Sequence, residues 1–170
     1  GLSYTRAGPD DMVIGNVSVE LNFSAARLAD LELFLTSAQG TRVQLVADTG
    51  DTASFSGRWS FGTTAYLGEE SEGNWTVEVF DDRAGNTLQV HDIDVTFSGS
   101  SSPSNSETFI ITSEYAKFSD GAERRSIDGG AGVDTINASA AYDSDLIFDL
   151  SDGAGEIDGV TVSLANIENL

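Results

Sequence analysis

Apolar and polar residues alternate with a period of two along much of this chain. Val17, Val19, Leu21 and Phe23 share one face, followed by Leu31, Leu33 and Leu35 and then by Val43 and Leu45. The rhythm returns at Trp59 and Phe61, at Trp75, Val77 and Val79, and at Val95 and Phe97. Successive side chains of a strand point to opposite faces, so each run predicts a half-buried β-strand. The phase slips between Val90 and Ile93, which predicts a bulge there. Turn-forming clusters separate the runs: Ala38-Gln39-Gly40, Asp48-Thr49-Gly50-Asp51, Glu72-Gly73-Asn74 and Asp82-Arg83-Ala84-Gly85-Asn86. Many short strands at this spacing predict a β-sandwich. Helix is expected only as a turn or two, at residues 25–30 and 114–118.

Residues 99–106 are Gly, Ser, Pro and Asn without periodicity, the composition of a linker. The expected organisation is a sandwich over 1–99, a linker over 100–106 and a second module over 107–170. The second module opens on a strand-like Phe109-Ile110-Ile111, passes a Gly-rich loop, and resumes alternation at Leu146, Phe148 and Leu150 and at Val160, Val162 and Leu164. The predicted class is all-β throughout.

Charge narrows the possible partners. Against 8 Lys and Arg stand 28 Asp and Glu, a net charge of -20. A polyanion repels nucleic acid and anionic lipid, so neither is expected as a partner, and no apolar run is long enough to cross a membrane as a helix. The acidic density suits a solvated surface, a saline habitat or sites for hard cations that take oxygen ligands, and composition does not separate these. Cys is absent, which removes disulfides and thiolate chemistry together and leaves calcium as the natural staple of a small extracellular fold. The chain opens on Gly1 and reads as an excised part of a longer polypeptide.

The sharpest local signal is Gly129-Gly130-Ala131-Gly132-Val133-Asp134-Thr135-Ile136-Asn137, which fits the calcium-binding nonapeptide G-G-x-G-x-D-x-U-x at every fixed position. Glycines let the backbone turn tightly and aim carbonyl oxygens at an ion, Asp134 adds a carboxylate, and Ile136 buries a short strand. The segment resembles the calcium loops of serralysin-type secreted proteases, and that resemblance implies Gly130, Gly132 and Asp134 as ligands, with Asp149 and Asp152 as looser candidates for a facing loop. The preceding register carries Arg125 where the Asp would stand, and a Gly-rich turn without metal is the competing reading. Asp30, Asp48, Asp51, Asp81 and Asp82 gather at predicted strand ends, where a second calcium site is physically reasonable and a solvated acidic loop is the commoner use of such residues.

On Thr108-Phe109-Ile110-Ile111, on the segment Ile127 to Ser139 and on Ala165-Asn166-Ile167-Glu168-Asn169, residues 107–170 resemble the RTX-like C-terminal region of serralysin-type secreted proteases. That resemblance implies a short β-roll or β-solenoid, export from a bacterium and calcium binding outside the cell. The first module resembles the P domain of proprotein convertases and bacterial subtilisin-like proteases. The resemblance rests on Asp30-Leu31-Glu32-Leu33-Phe34-Leu35-Thr36-Ser37-Ala38-Gln39-Gly40-Thr41, on Arg58-Trp59-Ser60-Phe61, and on Gly68-Glu69 with Gly73-Asn74-Trp75-Thr76-Val77-Glu78-Val79-Phe80-Asp81. Its closing strand matches at Val95-Thr96-Phe97-Ser98-Gly99, and Ala38 replaces the family's usual Pro. The implied fold is a jelly-roll β-sandwich, and the implied role is to stabilise or regulate a serine protease catalytic domain of the same polypeptide, with a protein substrate as a possible further partner.

No catalytic set is expected within the chain. A Ser-His-Asp triad needs a His, and only His91 exists, with Asp92 beside it in sequence and so facing the other way on a regular strand. The alternative function is a carbohydrate- or matrix-binding module, which an exposed aromatic strip including Trp59 or Trp75 would favour and buried indoles would not.

Overall fold

The computed structural model describes residues 1–81, 85, 87–101, 105–117 and 124–170. The first module contains β1 (Leu2–Gly8), β2 (Met12–Ala25), β3 (Leu31–Thr36), β4 (Arg42–Val46), β5 (Phe55–Thr63), β6 (Gly73–Asp81) and β7 (Leu88–Ser101). They form two antiparallel sheets, one in the order β1-β6-β3-β4 and the other β5-β2-β7. The nested pairings of β2 with β7 and of β3 with β6 are those of a jelly roll.

The alternation explains the layering. Val17, Val19, Leu21 and Phe23 of β2 are fully buried, and they meet Leu31, Leu33 and Leu35 of β3 and Trp75, Val77 and Val79 of β6 from the opposite sheet. Trp75 is the largest side chain in this core. Its ring stands edge-on to Tyr66 and Phe97 at centroid distances of 4.9 and 5.2 Å, and its indole N–H donates to Ser71 O at 2.9 Å. Tyr66 donates its hydroxyl to Leu35 O at 2.5 Å, so both polar handles of the buried aromatic pair are satisfied. On the outer face, Phe34 is covered by the Arg42 guanidinium, 3.9 Å above its ring, and Arg42 is in turn paired with Glu78 at 2.9 Å.

The predicted bulge falls on His91. Asn22 pairs with Asp92 and Phe23 with Val90, which leaves His91 as the extra residue on β7. The two expected helical turns are 3-10 turns, Leu28–Asp30 and Tyr115–Lys117. One boundary differs from expectation: β7 runs to Ser101, with Val13 opposite Ser100 and Met12 opposite Ser101, so the strand enters the expected linker. Backbone pairing needs no apolar side chain at an exposed strand end, and the serines there gave no periodic signal.

The second module contains β8 (Thr108–Thr112), β9 (Ser126–Asp128), β10 (Thr135–Ala140), β11 (Leu146–Asp149), β12 (Ala154–Ile157) and β13 (Val160–Ala165). β8 pairs in parallel with β10, and β9 in parallel with β13, which leads the antiparallel run β13-β12-β11. Successive strands β8, β9 and β10 thus alternate between two sheets and wrap a small core of Phe109, Ile111, Tyr115, Ile127, Ile136, Ile157 and Val162.

The two tryptophans separate the buried interior from the sandwich edge. Trp75 is inaccessible to solvent, whereas Trp59, on the edge strand β5, is 45% exposed. Trp75→Ala is expected to cost about 3–5 kcal/mol of unfolding free energy, and Trp59→Ala to stay within about 1 kcal/mol, as read from urea denaturation.

Candidate metal site and module junction

Asp134 immediately precedes β10 and is wholly buried. Its Oδ1 accepts the Glu107 N–H at 2.6 Å, which fixes the start of β8. Its backbone closes the other side: Asp134 N donates to Glu168 Oε2 at 2.8 Å, and Asp134 O accepts the Glu168 and Asn169 N–H groups, each at 3.1 Å. Side chain and backbone of this one residue thereby tie the start of β8 and the C-terminal residues to the start of β10. Its second oxygen, Oδ2, has no hydrogen-bond donor among the described residues. A carboxylate oxygen taken out of water without a partner is costly, and a cation is the partner such an atom accepts most readily.

Gly129 leaves room for the Asp134 side chain, and Gly132 for the backbone at Asn105. A Cβ on Gly129 would lie 2.3 Å from Asn166 O and 2.5 Å from Asp134 Cβ, and one on Gly132 would lie 2.3 Å from Asn105 O. Gly130 has φ +71°, a conformation side chains rarely adopt. Next to the loop, Asp128 accepts from Asn166 Nδ2 at 2.7 Å and from Gly130 N at 3.0 Å, and these bonds hold its carboxyl below the usual range. The residues around Asp134 fit a calcium-class ion on two grounds, a buried oxygen without a partner and a glycine cradle beside it.

The other candidates lie elsewhere. Asp149 caps its own turn, accepting from Ser151 N, Ser151 Oγ and Asp152 N at 2.9, 2.6 and 3.2 Å, and both Asp149 and Asp152 are exposed. In the sandwich, Asp48 and Asp51 form the same kind of local turn, accepting from Gly50 N and Ala53 N, each at 2.8 Å. Asp30, the last residue of the 3-10 turn, is buried and Asp81 ends β6 opposite Leu31, while Asp82 lies outside the described residues. Among the described residues no three Asp, Glu or His side chains converge on one point as a ready metal cage. Any ion at Asp134 would therefore draw on backbone carbonyls and water for its remaining ligands.

The chemistry missed in the sequence lies where the modules meet. The turn between β3 and β4 presents Thr41, whose hydroxyl lies 2.9 Å from Ile110 O of β8 and in close contact with Glu69 Oε1. Thr112 of β8 returns a bond to Arg42 O at 2.6 Å. Arg124 of the second module inserts into the same turn, donating to Gln39 O and, at 3.0 Å, to Ile110 O. Burial pushes the Glu69 carboxyl from 4.5 up to about 7, offset in part by its contacts with Thr41 and Ser37 and by the Arg124 charge. A protonated Glu69 can donate to Thr41 Oγ1 and free the Thr41 hydroxyl proton for Ile110 O. Gly68-Glu69 belonged to a recognisable sequence block, but nothing in the sequence said that its carboxyl faces another module.

Beside this junction runs a cleft of about 930 Å³. Asp11, Glu70 and Glu72 line it from the sandwich, and Glu107, Asp128 and residues 129–131 from the second module, with no Lys, Arg or His among the described lining residues. Burial and the negative charges of Asp134, Glu70 and Asp128 push the Glu107 carboxyl above its usual range. His91 sits apart from all of this, exposed, with Nε2 3.3 Å from Ser24 Oγ. Its neighbour Asp92 is paired with Arg58, which also binds Glu20.

The geometry defines a class: a jelly-roll β-sandwich joined through a polar junction to a smaller, partly parallel β-module. Residues 14–97 match the family model of the Proprotein convertase P-domain. The chain is 44% identical over 64 residues to Proprotein convertase subtilisin/kexin type 4 of Mus musculus, covering 36% of this chain and 10% of that protein. It is 38% identical over 68 residues to the type 5 convertase of Homo sapiens, covering 39% of this chain and 4% of that protein. The first module is a P domain, the accessory part of subtilisin-like proteases and not their catalytic domain. The chain spans a tenth or less of the length of these two curated relatives. Among solved structures it is similar to the serine protease of Aeromonas sobria, alone and with its chaperone, at 20% identity and a TM-score of 0.40, covering 58% of this chain and 20% of that one. No helix among the described residues is long and apolar enough to cross a membrane.

Glu69 sets a pH dependence. Its folded pKa is raised, so the stability it contributes is complete below about 4.5 and is lost as pH rises through about 7. Glu69→Gln is expected to match the wild type at pH 5 and to exceed its unfolding free energy at pH 8 by roughly 2–3 kcal/mol, measured by denaturant titration at both pH values.

Proposed function

We propose that this chain is the non-catalytic C-terminal accessory region of a secreted, calcium-dependent subtilisin-like serine protease, in which the P domain steadies or regulates the catalytic domain of the same polypeptide. The observation that carries the reading is the P-domain match over residues 14–97, which covers the sandwich core almost from end to end. The second module adds an RTX-like calcium loop, a reading supported by the nonapeptide at 129–137 and by the unpartnered Oδ2 of Asp134. Gly130, Gly132 and Asp134 would hold the ion, which when bound supplies the positive charge that the buried carboxylate lacks.

The mechanism is linkage between binding and folding. An ion that binds only the folded loop stabilises it by RT ln(1 + [Ca]/Kd), about 2.7 kcal/mol at 100 times Kd. Low calcium inside the cell would leave the second module loose for export, and calcium outside would complete it. The melting temperature is expected to rise in millimolar calcium, to fall back with chelator, and to become insensitive to both in Asp134→Asn. Superimposable curves for the wild type would contradict the reading.

One observation favours a second reading, in which the sandwich binds carbohydrate. Trp59 is exposed and stacked on Phe61 at 5.3 Å and 30°, with Phe55 5.6 Å away on the other side, a row of rings at the edge of the sheet. Binding of a soluble polysaccharide that is retained by the wild type and lost in Trp59→Ala, in an affinity gel, would support it.

A further inference from the structure

We infer that the Thr41 hydroxyl and the Glu69 carboxyl form a proton-controlled latch between the two modules, closed while Glu69 holds a proton and released when it gives the proton up. The latch rests on groups at the junction alone and not on the metal site.

Counting protons leads there. The Thr41 hydroxyl, on a residue only 2% exposed, touches two oxygens at once, Glu69 Oε1 in its own module and, at 2.9 Å, Ile110 O in the other. A hydroxyl has one proton to give. With Glu69 protonated, the carboxyl donates to Thr41 Oγ1 and the Thr41 proton goes to Ile110 O, so both contacts are hydrogen bonds and one of them crosses the junction. With Glu69 ionised, the carboxylate can only accept, and it draws the Thr41 proton into a charge-assisted bond within the sandwich. The bond to Ile110 O is then lost. Ionisation also leaves a charge on a fully buried residue whose Oε2 has no donor among the described residues.

The groups facing Glu69 set the direction of the effect. Thr41 and Ser37 reach it from the turn between β3 and β4, Tyr66 from its own loop, and Ile110 O and the Arg124 guanidinium from the second module. The Tyr66 hydroxyl is engaged with Leu35 O. Arg124, with Tyr115 beside it, already donates to Gln39 O and Ile110 O, and its stem lies so near Gly40 that a Cβ there would come within 3.3 Å of Arg124 Cδ. The Arg124 charge favours ionised Glu69, but burial outweighs it and pushes the carboxyl up to about 7. Separating the modules returns Glu69 to water and to its ordinary value of 4.5, so the joined state holds the proton more tightly and is favoured below neutrality. From pH 5 to pH 8 the equilibrium constant for joining falls by as much as about 70-fold.

The full chain in millimolar calcium serves for the test. It has no Cys, so cysteines introduced together at the exposed Ser56 and Thr161 carry spin labels, one on each module. Pulsed electron resonance is expected to give one narrow distance at pH 5 and a broader distribution with longer distances at pH 8. Glu69→Gln, whose amide donates to Thr41 at any pH, is expected to stay narrow at both, which separates Glu69 from every other titrating group. Thr41→Val, close in shape but without the hydroxyl, is expected to be broad already at pH 5. A wild-type distribution that ignores pH, a Glu69→Gln distribution that broadens as the wild type does, or a Thr41→Val distribution that is narrow at pH 5 would each overturn the latch. Circular dichroism at both pH values confirms that each variant is folded.

Discussion

A charged oxygen removed from water must be paid for by a partner, and in this protein the constraint concentrates on Asp134. Three segments converge on that residue: the start of β8 through Glu107 N–H, β10 through its own backbone, and the C-terminal residues through Glu168 and Asn169. The second module has a small core, so this knot of polar bonds carries more of its organisation than such a knot would in the sandwich. Among the described residues the knot is satisfied except at Oδ2, and the calcium reading rests on that atom.

The sandwich obeys a different economy. Its core is apolar, its aromatic polar atoms are bonded internally, and its outer charges pair at the surface, as in Arg58 with Glu20 and Asp92. At the junction the two economies meet, and Glu69 shows the cost: a carboxyl buried under the second module keeps its proton to about neutral pH. The same burial that joins the modules makes their union sensitive to charge.

The sandwich was largely legible in the sequence because its signal is local. Alternation placed Val17, Val19, Leu21 and Phe23 in the core, and a single slipped phase located the bulge at His91. The parallel pairing of β8 with β10 was not readable from periodicity, since alternation does not reveal which strand lies alongside which. Trp59 and Trp75 carry similar alternating neighbours, yet one lies at a sheet edge and the other at the centre, a difference set by strand order. The junction was the least visible part. Thr41, Glu69, Ile110 and Arg124 come from distant points of the chain, and none sits in a pattern that marks it as facing another module. Asp134 could be named from its motif, but that one of its oxygens would be buried without a donor needed the folded chain.

The most direct measurement is a crystal of the chain grown in calcium, with diffraction recorded at a wavelength where calcium scatters anomalously. An anomalous peak about 2.3–2.6 Å from Asp134 Oδ2, with glycine-loop carbonyls and waters around it, is the expected result. An Oδ2 that instead accepts a hydrogen bond from a protein N–H, with no anomalous peak near it, would contradict the account.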